Sequence, residues 1–552
     1  MTSVDAARAW LAQDPDPVTA AELAALIDAS DGGDATAGAD LADRFGGRLA
    51  FGTAGLRGRL GAGPNRMNRV LVTQAAAGLA AFLLSRAGDG ETPSVVIGYD
   101  GRRNSDVFAR DSAEVFAGAG VRAILLPRLL PTPVLAFAVR HLDAAAGVMV
   151  TASHNPPDDN GYKVYLGGAD EGSQIVSPAD AEIAAFIDEI AAGDIRDLPR
   201  STAYEISPES VVDAYVAATA AVAPAAAGAA DLPWVYTAMH GVGWETLSTI
   251  LEVAGYPAPV VVAEQIEPDG AFPTVAFPNP EEPGAMDLAF ATARASGAEL
   301  VIANDPDADR LAVAVPDDTV EGGWRRLTGN QTGLLLGWRA ARTADTTSGA
   351  TLACSLVSSP GLQTIAERYG LGFSATLTGF KWISRAPHLA FGFEEALGYL
   401  VNPETVRDKD GISAAIALLG MASEARAEGR TLADLLGDFE REFGVFASDQ
   451  VSVRVEDLSI ISDTMAALRA APPTQVGGVP VASIDDLLHG AGDLPPGDVL
   501  RLWLEDGSRV IVRPSGTEPK LKVYLDVRAD TSAEASARLT ALSAGARELV
   551  AA

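Results

Sequence analysis

Ser153 follows the apolar run Ala146-Gly147-Val148-Met149-Val150 and is itself followed by His154 and by Asn155-Pro156-Pro157, which cannot continue a strand. A hydroxyl held at a strand end, with an imidazole beside it and Lys163 ten residues on, has the parts of an oxygen nucleophile whose proton and charge can both be managed. A Ser-His pair before Asn-Pro also builds ordinary tight turns, in which the hydroxyl bonds local backbone. A second stretch, Asp305-Pro306-Asp307-Ala308-Asp309-Arg310, sets three carboxylates at alternate positions after the apolar run Leu300-Val301-Ile302-Ala303. On a turn opened by proline they converge and repel one another unless a cation lies between them, and hard oxygen ligands select Mg2+ over zinc or copper. An EF-hand would need a glycine soon after the acidic ladder and a closing glutamate, whereas Leu311-Ala312-Val313-Ala314 returns to strand.

Two further stretches suit a polar ligand. Glu394 and Glu395, after Leu389-Ala390-Phe391-Gly392-Phe393, offer carboxylates that accept hydrogen bonds from vicinal hydroxyls, although alone they read as the acidic first turn of a helix. Arg513, Ser515, Gly516 and Thr517 bring a guanidinium, hydroxyls and glycine-freed amides into five residues, a cradle for a tetrahedral dianion. Ser-Gly-Thr turns are common without any ligand.

Thr151-Ala152-Ser153-His154-Asn155-Pro156, with Asn160-Gly161-Tyr162-Lys163-Val164-Tyr165 after it, resembles the phosphoserine loop of the alpha-D-phosphohexomutase superfamily, the phosphoglucomutases and phosphomannomutases. The other three stretches resemble, in the family's order, its metal, sugar and phosphate loops, and the resemblance spans residues 45–530. It implies that Ser153 carries a transferable phosphoryl group and shares one Mg2+ with Asp305, Asp307 and Asp309, with Arg310 close by. It implies that Glu394, with Glu395 beside it, takes the sugar hydroxyls, and that Arg513, Ser515, Gly516 and Thr517 take the substrate's phosphate. Phe393 stands where the family's sugar loop commonly has glycine and Ala396 where it has serine, which moves the chain toward the branch of bacterial phosphoglucomutases and phosphopentomutases with a GFEEA-type loop. Phe51-Gly52-Thr53-Ala54-Gly55-Leu56-Arg57-Gly58 resembles the family's N-terminal loop, which brings an arginine, here Arg57, near the transferring phosphate. Thr378-Gly379-Phe380-Lys381-Trp382-Ile383 resembles the third-domain loop that distinguishes the two faces of the sugar, with Lys381 pointing to phosphate or hydroxyl; a solvated surface lysine is the plain alternative. His240, in a further matching segment, reads as a packed turn residue.

The activity implied is phosphoryl transfer between two positions of one sugar, through a bisphosphorylated intermediate and with a sugar 1,6-bisphosphate as activator. Lys163, assisted by His154, is the candidate acid/base. Glucose 1-phosphate is the first choice of substrate, with mannose, ribose and deoxyribose phosphates behind it. A phosphatase using the same phosphoserine, or a non-catalytic sugar-phosphate sensor, are the alternatives from other classes.

Each loop follows a short apolar run, and alanine-rich helical stretches such as 73–85 and 288–295 lie between, so strands alternate with helices as in an α/β architecture whose sites sit at the carboxyl ends of strands. The resemblance implies three similar α/β domains with mixed sheets and a smaller α+β C-terminal domain around one central cleft: 1–215 with the serine loop and an N-terminal extension, 216–325 with the metal loop, 326–445 with the sugar loop, 446–552 with the phosphate loop. Candidate breaks are 217–233, 316–326 and the region after Phe443. Val451 to Val455 and Leu521 to Leu525 alternate apolar and polar, as expected of a sheet with one face open to water or helices.

Asp and Glu number 73 against 41 Lys and Arg, a net charge of −32, which disfavours nucleic acid as a partner and suits solubility. The single cysteine, Cys354, cannot close an intramolecular disulfide, and the first residues lack the basic-then-apolar pattern of a signal peptide. The uncharged stretches 214–230 and 346–366 are rich in small and hydroxyl residues and interrupted by Pro224 and Pro360, so no membrane span is expected. A reducing cytoplasm fits these features, and a small phosphosugar is the partner the resemblance implies, taken by a monomer or weak homodimer.

Overall fold

The computed structural model describes residues 3–455, 457, 459–492, 494–515 and 520–550. The chain divides into two compact bodies, 1–326 with 398–429, and 327–397 with 430–552.

The first body opens with helices Ser3–Leu11, Pro17–Asp31 and Ala35–Phe45, packed through Trp10, Leu23 and Leu41 onto Val70 and Ile195. Asp16 and Asp34 cap the second and third of these, each accepting from backbone amides of its helix's first turn. A sheet follows in the order Leu56–Arg59, Asp159–Leu166, Ala146–Val150, Ser94–Tyr99, Arg122–Leu125, Glu205–Ile206. Ala146–Val150, Ser94–Tyr99, Arg122–Leu125 and Glu205–Ile206 run parallel, and Asp159–Leu166 returns antiparallel to Ala146–Val150. Helices Arg69–Arg86, Ser105–Gly118, Thr132–His141 and Ala179–Ala191 cover it, which is why Ala146–Val150 is an unbroken apolar run buried at every position.

One plan is used three times. Strand Ser94–Tyr99, helix Ser105–Gly118, strand Arg122–Leu125, helix Thr132–His141 and strand Ala146–Val150 lead into the serine loop. Strand Trp234–Thr237, helix Gly243–Ala254, strand Val260–Val261, helix Asp287–Ser296 and strand Leu300–Asn304 lead into the aspartate turn, and Leu311–Pro316 returns antiparallel. In the second body, strand Thr351–Ser355, helix Gly361–Tyr369, strand Gly372–Thr376, helix Phe380–Ile383 and strand Leu389–Glu394 lead into the glutamate turn. In all three repeats the first strand lies parallel to the third. The candidate break 316–326 ends where the first body is interrupted, at Arg326, and its polar residues form the turn of a hairpin in which Trp324–Arg326 pairs antiparallel with Leu311–Pro316.

Helix Gly411–Ala427 completes the first body. It is apolar on nearly every face and buried along almost its whole length, lying against strands Leu300–Asn304 and Leu311–Pro316 and helices Ser210–Ala220 and Gly243–Ala254.

The rest of the second body is an antiparallel sheet in the order Val445–Arg454, Lys520–Ala529, Arg509–Pro514, Leu500–Leu504, Val479–Asp486, Gln475–Val476. The alternation in 451–455 and 521–525 is that of two paired strands, with Val451 opposite Val523. One face packs under helices Ser459–Ala470 and Ser532–Val550 through Met465, Leu542 and Ala546. The other is not left to water: Ile511 and Tyr524 pack with Leu356 and Val357 of the third repeat. No helix among the described residues is long and apolar enough to cross a membrane.

Candidate active site

Ser153 is buried, and its backbone is left-handed at φ 51°, a conformation a non-glycine residue adopts only when its surroundings enforce it. Its amide donates to Thr151 Oγ1 at 2.8 Å, and its hydroxyl donates to Asp305 Oδ2 at 2.8 Å with His154 Nδ1 3.2 Å away. Arg57, on the edge strand paired with Asp159–Leu166, donates to Asn155 Oδ1 at 3.2 Å.

The aspartate turn is pinned from several sides. Asp305 Oδ1 accepts from the Arg310 amide at 3.0 Å, and Ala308, left-handed at φ 55°, donates its amide to Asp305 O. Val242 donates its amide to Pro306 O at 2.9 Å, and Gly241 lies so close to Pro306 that a Cβ there would stand 2.3 Å from its Cα. His240 is a packed turn residue of the same loop, its Nε2 2.8 Å from Thr274 Oγ1.

Asp305, Asp307 and Asp309 are wholly buried, and cations surround them. Lys163 donates to Asp307 Oδ2 at 2.8 Å and Asp309 Oδ2 at 2.9 Å, and Arg310 Nε lies 3.7 Å from Asp309 Oδ1. Burial, with Asp307 and Asp309 alongside, pushes Asp305 well above the usual carboxylate range. Burial opposes ionisation of Asp307 too, but Lys163 outweighs it and holds Asp307 low. Lys163 is raised: the two aspartates overcome the cost of burying its charge. His154 is lowered well below its usual value by desolvation and then by the Arg310 and Arg57 charges.

These carboxylates fit a divalent cation. One oxygen from each of Asp305, Asp307 and Asp309 falls within 4.8 Å of the others, and Asp307 Oδ1 and Asp309 Oδ1 are buried with no hydrogen-bond partner. Buried carboxylate oxygens without donors are costly unless a cation meets them, and an all-oxygen set suits a hard ion.

In the second body, Glu394 ends strand Leu389–Glu394, so the acidic pair closes a strand where periodicity alone suggested a helix start. Phe393 turns its ring inward against Gly333, where a Cβ would stand 2.3 Å from the ring; the departure from the family pattern is therefore filled by core packing. Glu395 Oε2 accepts from Ser355 Oγ at 3.0 Å and Ser358 Oγ at 2.9 Å, and its amide donates to Ser358 Oγ. Arg513 is the last residue but one of strand Arg509–Pro514 and hydrogen-bonds Tyr524, whose hydroxyl is raised by burial and by the nearby charge of Glu395. The Ser515 amide donates to Lys520 O at 2.8 Å. Gly516 and Thr517 lie outside the described residues. Lys381 sits on the short helix Phe380–Ile383, after Gly379.

Sequence reasoning missed four contributors. Lys409 Nζ lies 3.3 Å from Asp309 Oδ2, and Thr132 Oγ1 donates to Asp307 Oδ2 at 2.6 Å. Arg102 holds the serine loop by its carbonyls, and Tyr524 adjoins Arg513. Of these only Arg102 stands out in the sequence, as the first of two adjacent arginines after Tyr99-Asp100-Gly101, and nothing there says what it binds.

Models of the four phosphoglucomutase/phosphomannomutase domains match this chain in order: alpha/beta/alpha domain I over residues 48–194, domain II over 213–321, domain III over 328–443 and the C-terminal domain over 451–540. A Haemophilus influenzae protein named "Probable phosphomannomutase" is 57% identical over 484 residues, covering 88% of this chain and 98% of its own. A Mus musculus phosphopentomutase is 35% identical over 575 residues, covering 94% and 89%. The crystal structure of a phosphoglucomutase/phosphomannomutase family protein from Burkholderia thailandensis shares the fold at a TM-score of 0.70 and 20% identity, over 91% of this chain and 98% of that one.

Proposed function

Because the chain belongs to the phosphoglucomutase/phosphomannomutase family, we propose that it interconverts glucose 1-phosphate and glucose 6-phosphate by phosphoryl transfer through Ser153 and a bisphosphorylated sugar. The observation that carries the reading is the 2.8 Å bond from Ser153 Oγ to Asp305, beside a triad with two buried carboxylate oxygens that accept no hydrogen bond.

Phosphorylated Ser153 gives up its phosphoryl group as the P–Oγ bond breaks and a bond forms to a sugar hydroxyl. The second transfer returns a phosphoryl group to Ser153 from the other end of the turned intermediate. Asp305, Asp307 and Asp309 would hold Mg2+, which, when bound, offsets negative charge on the transferring group. Lys163 would serve as the acid/base for the sugar hydroxyl's proton, assisted by His154, whose Nδ1 stands 3.2 Å from Ser153 Oγ. Arg57 and Arg310 add positive charge beside the serine. Arg513, Ser515, Gly516 and Thr517 would bind the phosphate that does not move, with Lys381 assisting. Glu394 would bind sugar hydroxyls, and the bonds to Ser355 and Ser358 suit Glu395 to bracing that loop. A sugar 1,6-bisphosphate would prime Ser153. We assign these tasks to segments 1–215, 216–325, 326–445 and 446–552.

Coupled assays of glucose, mannose, ribose and deoxyribose 1-phosphates, with the matching bisphosphate and Mg2+, test the proposal. The expected result is highest kcat/KM for glucose 1-phosphate. A higher value for a pentose or mannose phosphate would reassign the sugar, release of inorganic phosphate would mean a hydrolase, and binding without turnover a sensor.

A further inference from the structure

In each of the three repeats the loop after the first strand grips the loop after the third. In the second, Val242 and Gly241 hold Pro306 of the aspartate turn. In the third, Ser358 holds both the amide and the carboxylate of Glu395. In the first the gripping residue is Arg102, whose buried guanidinium spans the serine loop: Nη2 lies 2.5 Å from Ser153 O and 2.5 Å from Asn155 O, and Nη1 lies 2.9 Å from Pro156 O and 3.1 Å from Asp159 O.

We infer that Arg102 is a positioning residue for phosphoryl transfer: by binding four carbonyls at once it keeps the Ser153 hydroxyl aimed at the aspartate triad. The inference rests on reading Ser153 as the phosphoryl carrier. A guanidinium is a rigid planar fork, so four acceptors bound to it are fixed relative to one another in a way that one ammonium nitrogen cannot reproduce. The fork is itself fixed. Asp100 Oδ1 accepts from the Arg102 amide at 3.0 Å and from Ser105 Oγ at 2.7 Å, Asp100 Oδ2 lies 3.6 Å from Arg102 Nε, and the Phe272 ring is centred 4.9 Å from Cζ. The object held is a serine in a left-handed conformation, which relaxes once its carbonyl is released. Arg102 touches no reacting atom; it acts through the backbone of the residue that does.

The test is Arg102→Lys in the full-length protein with Mg2+, compared with wild type in three measurements: steady-state kinetics, phosphorylation of Ser153 by glucose 1,6-bisphosphate followed by intact mass, and amide hydrogen exchange. A displaced nucleophile loses rate more than affinity, so kcat should fall by ~10²-fold with KM within about threefold, and phosphate uptake should slow in parallel. Exchange should quicken at residues 153–159 while strands Ser94–Tyr99 and Ala146–Val150 stay protected. Wild-type kcat per folded molecule would overturn the inference, as would exchange rising evenly through the body, which marks a merely structural role. Should Arg102→Lys not fold, Asp100→Asn, which loosens the fork but keeps an acceptor for the Arg102 amide, should lower kcat in the same direction by ~10-fold, and an unchanged kcat there is equally decisive. A wild type that takes up no phosphate would instead sink the Ser153 reading itself.

Discussion

Ser153 Oγ and Asp305 Oδ2 stand 2.8 Å apart, a bond between the first and second repeats that joins residues 152 positions apart in the chain. The serine hydroxyl is thus the meeting point of two separately built loops. Ser153→Ala should keep the fold, because the loop's shape rests on backbone carbonyls, while turnover falls by at least ~10³-fold. Intact mass should show a phosphate adduct on wild type and none on the variant; full activity in the variant would end the phosphoserine assignment.

The buried oxygens of Asp307 and Asp309 that accept no hydrogen bond predict a dependence on metal that extends to stability. Chelation should abolish turnover and Mg2+ restore it. Mg2+ at a hundredfold excess over Kd should also stabilise the protein by ~2.7 kcal/mol in denaturant titration. Asp307→Asn should weaken both effects, and undiminished turnover in excess chelator would remove the metal from the mechanism.

Arg513 and Lys163 should fail differently. A contact to the stationary phosphate is made in ground and transition states alike, so Arg513→Ala should chiefly raise KM, at a cost of ~1.5–3 kcal/mol. Lys163→Ala should chiefly lower kcat, by ~10²- to 10⁴-fold. A Lys163 variant with normal kcat would leave His154 as the acid/base.

The adjacent glutamates should separate as well. Glu394→Ala should raise KM with little loss of stability. Glu395→Ala strips Ser355 and Ser358 of their shared acceptor and should destabilise the second body by ~1–3 kcal/mol. Equal melting points for the two variants would show that Glu395 braces nothing.

Asp410 caps helix Gly411–Ala427, accepting from Ile412 and Ser413 amides, and burial pushes its carboxyl up to about 6. The folded state then holds a proton that the unfolded chain releases at lower pH. Wild-type stability should therefore fall as pH rises from ~4 to ~6, by about 3 kcal/mol, and stay flat above in this term. Asp410→Asn keeps a cap and removes the titration, so the stability difference between the two proteins, followed against pH in denaturant, should open over that window. A constant difference would refute it.

Much of the site was legible because its loops are local. Pro156 and Pro157 end one strand and Pro306 opens one turn, so the serine and the three aspartates announce themselves in a few residues. Lys409 could not be read this way: it reaches Asp309 only because a helix begun a hundred residues later packs on that hairpin. Glu395 was legible as a polar ligand and not as a brace, since Ser355 and Ser358 precede it by 40 and 37 residues. The break expected at 316–326 falls where the first body is interrupted, at Arg326, but its polar residues gave no sign that they also turn a hairpin, because a polar turn and a polar linker have the same composition. Arg102 shows a different limit. Its partners are carbonyls, which every residue has, so nothing in the sequence marks where such an arginine binds.

The path of the chain through its two bodies has a consequence for synthesis on the ribosome. The first body is interrupted after residue 326 and regains helix Gly411–Ala427 only after 327–397 have been made. At ~5–20 residues per second the ~100 intervening residues take ~5–20 s, during which the apolar surface awaiting that helix is bare. Lys409, at the threshold of the same helix, arrives equally late, so the nascent carboxylate triad waits for one of its cations. Stalled or truncated chains ending between 326 and 410 should thus be the ones that chaperones hold and proteases remove, because the first half of the sequence is not the first half of the fold.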